Sequence, residues 1–242
     1  MRRLVFVLTV ACAATFATGC IISSGDDGPP VNDTGAITAD WSFHNADPAG
    51  GVGAALACPG GFSTAAVTAT PTGGGTPVID LYDCPALTGT ADYPVDQYDV
   101  HIDITSGSGG TVYNAGSLLQ TVDITTTDES VSEDFIDDGG RFALDWVLVD
   151  TGNAQVSCTQ AGAVKIGLTG TLAGGGGPYA DELPCGDATG ISVPALSGTY
   201  TLTIQALDGT GAALGAGTTL TNKTIQEPNG YTDLGSVSVP FN

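Results

Sequence analysis

Asp99, His101 and Asp103 stand two apart in a run of alternating polar and apolar residues. Side chains two apart on an extended strand share a face, so the three could offer a metal one imidazole and two carboxylates; the plainer reading is a solvated polar face. A second group is Glu133, Asp134, Asp137 and Asp138, crowded into six residues and followed by Gly139 and Gly140. Hard oxygen donors in a glycine-bearing segment are what calcium accepts, which makes calcium the one cofactor the sequence suggests, against a solvated acidic linker. No D-x-[DN]-x-[DN]-G loop accompanies them. His44 has no visible partner, which places it at the surface. Trp41 and Trp146 could be platforms for sugar rings, but each falls on the apolar face of its own run, which favours core packing.

Catalytic constellations are missing. There is no G-x-S-x-G elbow, no H-E-x-x-H, and no lysine after the glycine run Gly174 to Gly177 where a phosphate loop needs one. A pair of carboxylates could still hydrolyse a glycosidic bond, since acids are plentiful, but nothing selects one pair. The expectation is therefore a non-catalytic protein, with an envelope glycosidase or other hydrolase as the alternative.

The first residues read Met1, Arg2, Arg3, an apolar run from Leu4 to Phe16, then Ala17, Thr18 and Gly19 before Cys20. The run is too short to cross a bilayer and has the form of a secretion signal. Ala17-Thr18-Gly19-Cys20 resembles the cleavage box of bacterial lipoprotein signals, with Ala17 where Leu is usual. That resemblance implies that Cys20 is acylated and anchors the mature chain in a membrane. Ile21 rather than Asp after the cysteine implies the outer membrane, with the leaflet open. Residues 20–35 are rich in Gly, Pro, Ser and Asp and read as a flexible tether behind the signal at 1–19.

Once Arg2 and Arg3 leave with the signal, Arg141, Lys165 and Lys223 face 26 acids, three positive charges against 26 negative, a formal charge of −23. Such a chain lacks the basic clusters that hold phosphate backbones, so nucleic acid is excluded as a partner. Cys12 lies in the signal and Cys20 is the lipid site, which leaves Cys58, Cys84, Cys158 and Cys185 for two disulfides in an exported protein.

The chain contains one unit twice. Ala39-Asp40-Trp41 matches Leu144-Asp145-Trp146, Cys58 matches Cys158, Cys84 matches Cys185, and Tyr98-x-Val100-x-Ile102 matches Tyr200-x-Leu202-x-Ile204. Near-constant offsets of 105, 100, 101 and 102 imply duplication of a unit of about 100 residues, and pairing within each unit gives Cys58–Cys84 and Cys158–Cys185. Ile37, Ala39, Trp41 and Phe43 alternate on one face, as do Phe142, Leu144, Trp146 and Leu148, and further short alternating runs are separated by turn residues. This predicts an all-β chain of two tandem antiparallel β-sandwich domains, residues 36–136 and 137–242, each with one disulfide.

Leu196-Ser197-Gly198-Thr199-Tyr200-Thr201-Leu202-Thr203-Ile204, followed by Asp208-Gly209-Thr210-Gly211, resembles the G-x-Y-x-L-x-V…D-x-x-G signature of immunoglobulin-like and prealbumin-like sandwich modules of bacterial surface proteins. The first unit reads Val95-Asp96-Gln97-Tyr98, without the glycine. The resemblance implies a sandwich, and a surface protein that binds a protein or glycan ligand at the cell envelope.

Overall fold

A computed structural model describes residues 33–107 and 110–241. The secretion signal, Cys20 and most of the tether lie outside these described residues. The described chain is almost entirely β. The first unit contains β1 (Thr34–Ala46), β2 (Val52–Leu56), β3 (Thr64–Pro71), β4 (Val78–Asp83), β5 (Thr88–Pro94), β6 (Gln97–Thr105), β7 (Gln120–Asp123) and β8 (Glu129–Ile136). The second contains β9 (Gly139–Val149), β10 (Gln155–Val156), a single helical turn α1 (Cys158–Ala161), β11 (Lys165–Leu172), β12 (Tyr179–Pro184), β13 (Thr189–Ile191), β14 (Ala195–Leu196), β15 (Gly198–Leu207), β16 (Thr218–Ile225) and β17 (Gly230–Pro240).

Each unit is a sandwich of two sheets, and the two units share one topology. In the first, β4-β3-β6-β7 faces a sheet in which β1 is flanked by β2 and β5 on one side and β8 on the other. In the second, β12-β11-β15-β16 faces a sheet centred on β9, with β10, β13, β14 and β17 around it. β13 and β14 together take the place of the single strand β5. The sheets are antiparallel, as expected, except at one pairing in each unit: β1 runs parallel to β8, and β9 runs parallel to β17. The first and last strands of a unit meet only in the folded state, so no local pattern announces their direction. β1 also begins at Thr34, inside the stretch read as tether. Gly35 is held there because it packs on Ile124, where a Cβ would come within 2.9 Å of the Ile124 carbonyl oxygen.

The alternating residues make two separate cores. Ile37, Ala39, Trp41 and Phe43 pack against Val100, Ile102 and Ile104 of the facing sheet; Phe142, Leu144, Trp146 and Leu148 pack against Leu202, Ile204 and Ile166. Both tryptophans are only 3% exposed. Each indole N–H is satisfied by a cysteine carbonyl, Trp41 by Cys84 at 2.8 Å and Trp146 by Cys185 at 3.1 Å. Their backbone amides donate to Leu87 and Ala188, both in the left-handed region with φ of 59° and 58°. The hydroxyls of Tyr98 and Tyr200 each reach back four residues, to the Pro94 and Leu196 carbonyls, at 2.9 Å. The disulfides join Cys58 to Cys84 and Cys158 to Cys185 across loops of 26 and 27 residues. A closed loop of that length stabilises by about 3.5 kcal/mol in the chain-entropy view.

Candidate functional site

The acidic segment read from the sequence falls at the junction of the sandwiches, at the end of β8 and the start of β9. The structure does not bring its four carboxylates together. Neighbours on a strand point to opposite faces, so Glu133 turns inward and is 3% exposed while Asp134 turns out. Asp134 accepts the Ser42 hydroxyl, Asp137 accepts the Tyr113 hydroxyl, and Asp138 accepts the Ala46 amide at 2.7 Å. Among the described residues no three His, Cys, Asp or Glu side chains converge on a point where a cation could sit. The calcium expectation thus finds no assembled site: the carboxylates are spent separately on protein donors. Nor is Gly139-Gly140 a loose hinge. It opens β9, and a Cβ on Gly140 would meet the Gly230 carbonyl oxygen at 2.0 Å.

A buried polar clamp occupies the junction instead. Asn229, between β16 and β17, is fully buried and enters from the second sandwich. Its amide nitrogen donates to Glu133 Oε1 at 2.8 Å and to the Gly116 carbonyl at 3.2 Å, and its Oδ1 accepts the Ile136 amide at 3.1 Å. The Asn229 backbone N–H then donates to the Ile136 carbonyl at 2.6 Å, so one residue caps the end of β8 on both its polar groups. Glu133 also accepts the Leu118 amide, at 3.0 and 3.1 Å to its two oxygens. Arg141 donates from Nη1 to the Asp134 carbonyl at 3.0 Å and lies 5.9 Å from the centroid of the Tyr231 ring. On the far side, the Gly51 amide donates to the Pro194 carbonyl at 2.8 Å. The two sandwiches are therefore joined by hydrogen bonds on both flanks of a two-residue connection.

Burial pushes the Glu133 carboxyl up to about 7, even though its hydrogen-bond partners are donors and Arg141 adds a positive charge. The folded protein therefore binds this proton more tightly than the unfolded chain, whose carboxyl titrates near 4.5. The resulting stabilisation is complete below pH 4.5 and is lost as pH rises through about 7. The unfolding free energy obtained from urea titrations should fall in the wild type between those pH values by roughly 3 kcal/mol relative to Glu133→Gln. Parallel curves for the two proteins would show that Glu133 keeps its ordinary titration.

The other expected site residues are placed as follows. Asp99, His101 and Asp103 do share the outer face of β6, half-buried. Asp99 accepts the Thr121 hydroxyl at 2.6 Å, while Asp103 accepts Ser117 and lies 3.7 Å from His101 Nε2. Contrary to expectation, His44 is not alone: its Nε2 is 3.1 Å from Ser42 Oγ and 3.9 Å from Asp134. This is not a nucleophile triad, because serine and carboxylate crowd the same ring nitrogen while Nδ1, which an orienting acid would hold, is buried without a partner. The tryptophans are core residues, not sugar platforms. Two surface clefts correspond across the duplication, one of about 440 Å³ beside Cys58, Phe43 and Leu56, the other of about 310 Å³ beside Cys158, Leu148 and Val156. Asn229 was missed by sequence reasoning. Its only local signal is the Asn229-Gly230 pair, which marks a turn and says nothing of burial.

No protein-family model matches the chain, and no curated protein matches it. Among solved structures, a leucine-rich repeat protein from Bacteroides thetaiotaomicron is similar at 12% identity and a TM-score of 0.32, over 86% of this chain. The chain spans about a quarter of that protein, 26% of its length. An adhesin candidate from Bacteroides ovatus is similar at 11% identity and a TM-score of 0.30, over 84% of this chain and 88% of its own. The pilus 2b backbone protein of group B streptococcus gives 11% and 0.25, over 74% and 79%. At TM-scores this low the likenesses carry no argument about what the chain does.

Proposed function

We propose that the protein is an exported, lipid-anchored and non-catalytic component of the bacterial envelope, serving binding or structural interaction at the cell surface. The observation that carries this reading is the closure of both cores. The aromatic side chains that could have lined an interior site are packed inside, and what the double sandwich presents to a partner is sheet faces, strand edges and loops. The two disulfides suit an oxidising compartment. Glycoside hydrolysis would require two carboxyl groups facing each other across a substrate cleft. In a cleft of about 210 Å³ that Glu133 and Asp134 both line, the first is buried in the junction clamp and the second engaged with Ser42.

The anchor is proposed to be lipid on Cys20 after removal of residues 1–19, with the outer membrane as destination. The wild type should partition with membranes, and Cys20→Ala should release the protein or stall its processing. Equal solubility and equal intact mass after correction for the substitution would show that no lipid is carried.

A further inference from the structure

We propose that the free edge of β4 is a docking edge for an extended segment of a partner protein, apolar and basic in alternation, which adds as a further strand to the sheet β4-β3-β6-β7. This rests on the surface-interaction reading above and gives it a partner class.

Among the described residues β4 pairs with β3 alone, and no strand of theirs bonds the backbone N–H and C=O groups along its other side. It is also apolar where it is open: Val78, Ile79 and Leu81 are 43%, 60% and 48% exposed. An apolar, unpaired edge invites another strand, and proteins that do not use one normally blunt it. The duplication supplies the internal comparison. In the second unit the equivalent strand is β12, where Ala180 stands in the place of Ile79 and Glu182 in that of Leu81, each opposite the matching residue of its neighbour. Glu182 is paired with Lys165 at 2.5 Å, whereas Asp181 has its counterpart in Asp80 of β4, so the difference between the two edges lies at Ile79 and Leu81. The fold is thus built equally well with a blunted, charged edge. The apolar one belongs to the first unit alone.

Charge selects the occupant. Residues 33–138 hold 16 of the 26 acids and no Lys or Arg, whereas residues 139–242 hold eight acids and all three mature cations. On β4, Ile79, Leu81 and Asp83 share the outer face by strand alternation, so an added strand would set apolar side chains against the first two and a cation against the third. A second copy of this chain fits poorly, since pairing β4 with β4 would bring the acids of β4, Asp80 and Asp83, and two cation-free sandwiches together. A basic, apolar strand meets both the hydrogen-bonding edge and the field.

The test uses the full-length protein and a labelled peptide of sequence Lys-Val-Lys-Val-Lys-Val-Lys at physiological salt, read by fluorescence anisotropy. Saturable binding is expected, weakened roughly tenfold or more by Ile79→Lys/Leu81→Lys and unchanged by Ala180→Lys on β12. The same peptide N-methylated at alternate amides keeps its charge and side chains but loses its ladder, and should bind roughly tenfold or more weakly too. Amide exchange over 78–83 should slow in the complex. Equal binding of the methylated peptide would overturn the proposal in favour of adsorption to an acidic surface. A peptide-free dimer that Ile79→Lys/Leu81→Lys dissociates would overturn it in favour of self-association, and absence of peptide binding would remove the edge altogether. In the last case a Cys20→Ala variant that still leaves the membrane would keep the anchored-module reading standing. An unchanged thermal melt confirms that the lysine variants are folded.

Discussion

Trp146→Ala should destabilise the protein by about 3 to 5 kcal/mol, the largest loss expected from any single side chain of the second core. The indole is 3% exposed and packs among Phe142, Leu144 and Ile166. Removing it leaves a cavity that a framework of strands cannot collapse around, and it strands the Cys185 carbonyl that the indole N–H now satisfies at 3.1 Å. Trp146→Phe separates the two contributions, because a ring remains and the donor is lost; it should recover more than half of the loss. Trp41→Ala should behave alike in the first core, where the same geometry recurs on Cys84. Equilibrium denaturation measures all three. A loss below about 1 kcal/mol for either alanine variant would contradict the packing described here.

Asn229→Ala should cost about 3 kcal/mol and change how the protein unfolds. The substitution leaves the buried Ile136 amide without its acceptor and takes one donor each from Glu133 and the Gly116 carbonyl, which keep Leu118 and Asn114 respectively. Since these groups belong to the first sandwich and Asn229 to the second, the lost bonds are those that make the two melt as one. Calorimetry should show a single transition in the wild type and two in the variant. Asp138→Ala, which removes a single hydrogen bond to the Ala46 amide on the other flank, should cost about 1 kcal/mol and leave one transition. One transition in the Asn229 variant, at an unchanged temperature, would show that the clamp does not couple the units.

Much of the architecture was legible because it is written twice. A tryptophan on an alternating run, a cysteine after it and a tyrosine beyond recur at nearly constant offsets, and each landmark has the same structural task in both units: indole to cysteine carbonyl, sulfur to sulfur, phenol to the carbonyl four residues back. Features that occur once were not legible. Asn229 has no counterpart in the first unit, and its importance comes from meeting Glu133 and Ile136, far away in the chain. In the acidic segment two sequence signals compete: the run Val131-Ser132-Glu133-Asp134-Phe135 carries strand alternation, which assigns Glu133 and Asp134 to opposite faces, while the density of carboxylates points to calcium or an acidic linker. His44 meets Ser42 within its own strand, and it meets Asp134 only because β8 lies beside β1, a pairing no local signal marks.

That same pairing decides how the molecule bears a pull. Where neighbouring strands run in the same direction, the chain enters a sandwich at one end of the ladder and leaves it at the other, from Ile37 opposite Glu129 to His44 opposite Ile136. Tension entering at Thr34 and leaving at Ile136 therefore slides β1 along β8, loading all the hydrogen bonds of the ladder at once. Antiparallel neighbours gripped at one end would part like a zip, a single bond at a time. The second sandwich repeats the arrangement from Arg141 opposite Tyr231 to Val149 opposite Pro240. Tension applied along the chain from Thr34 to Pro240 is by this arrangement borne in shear by both units.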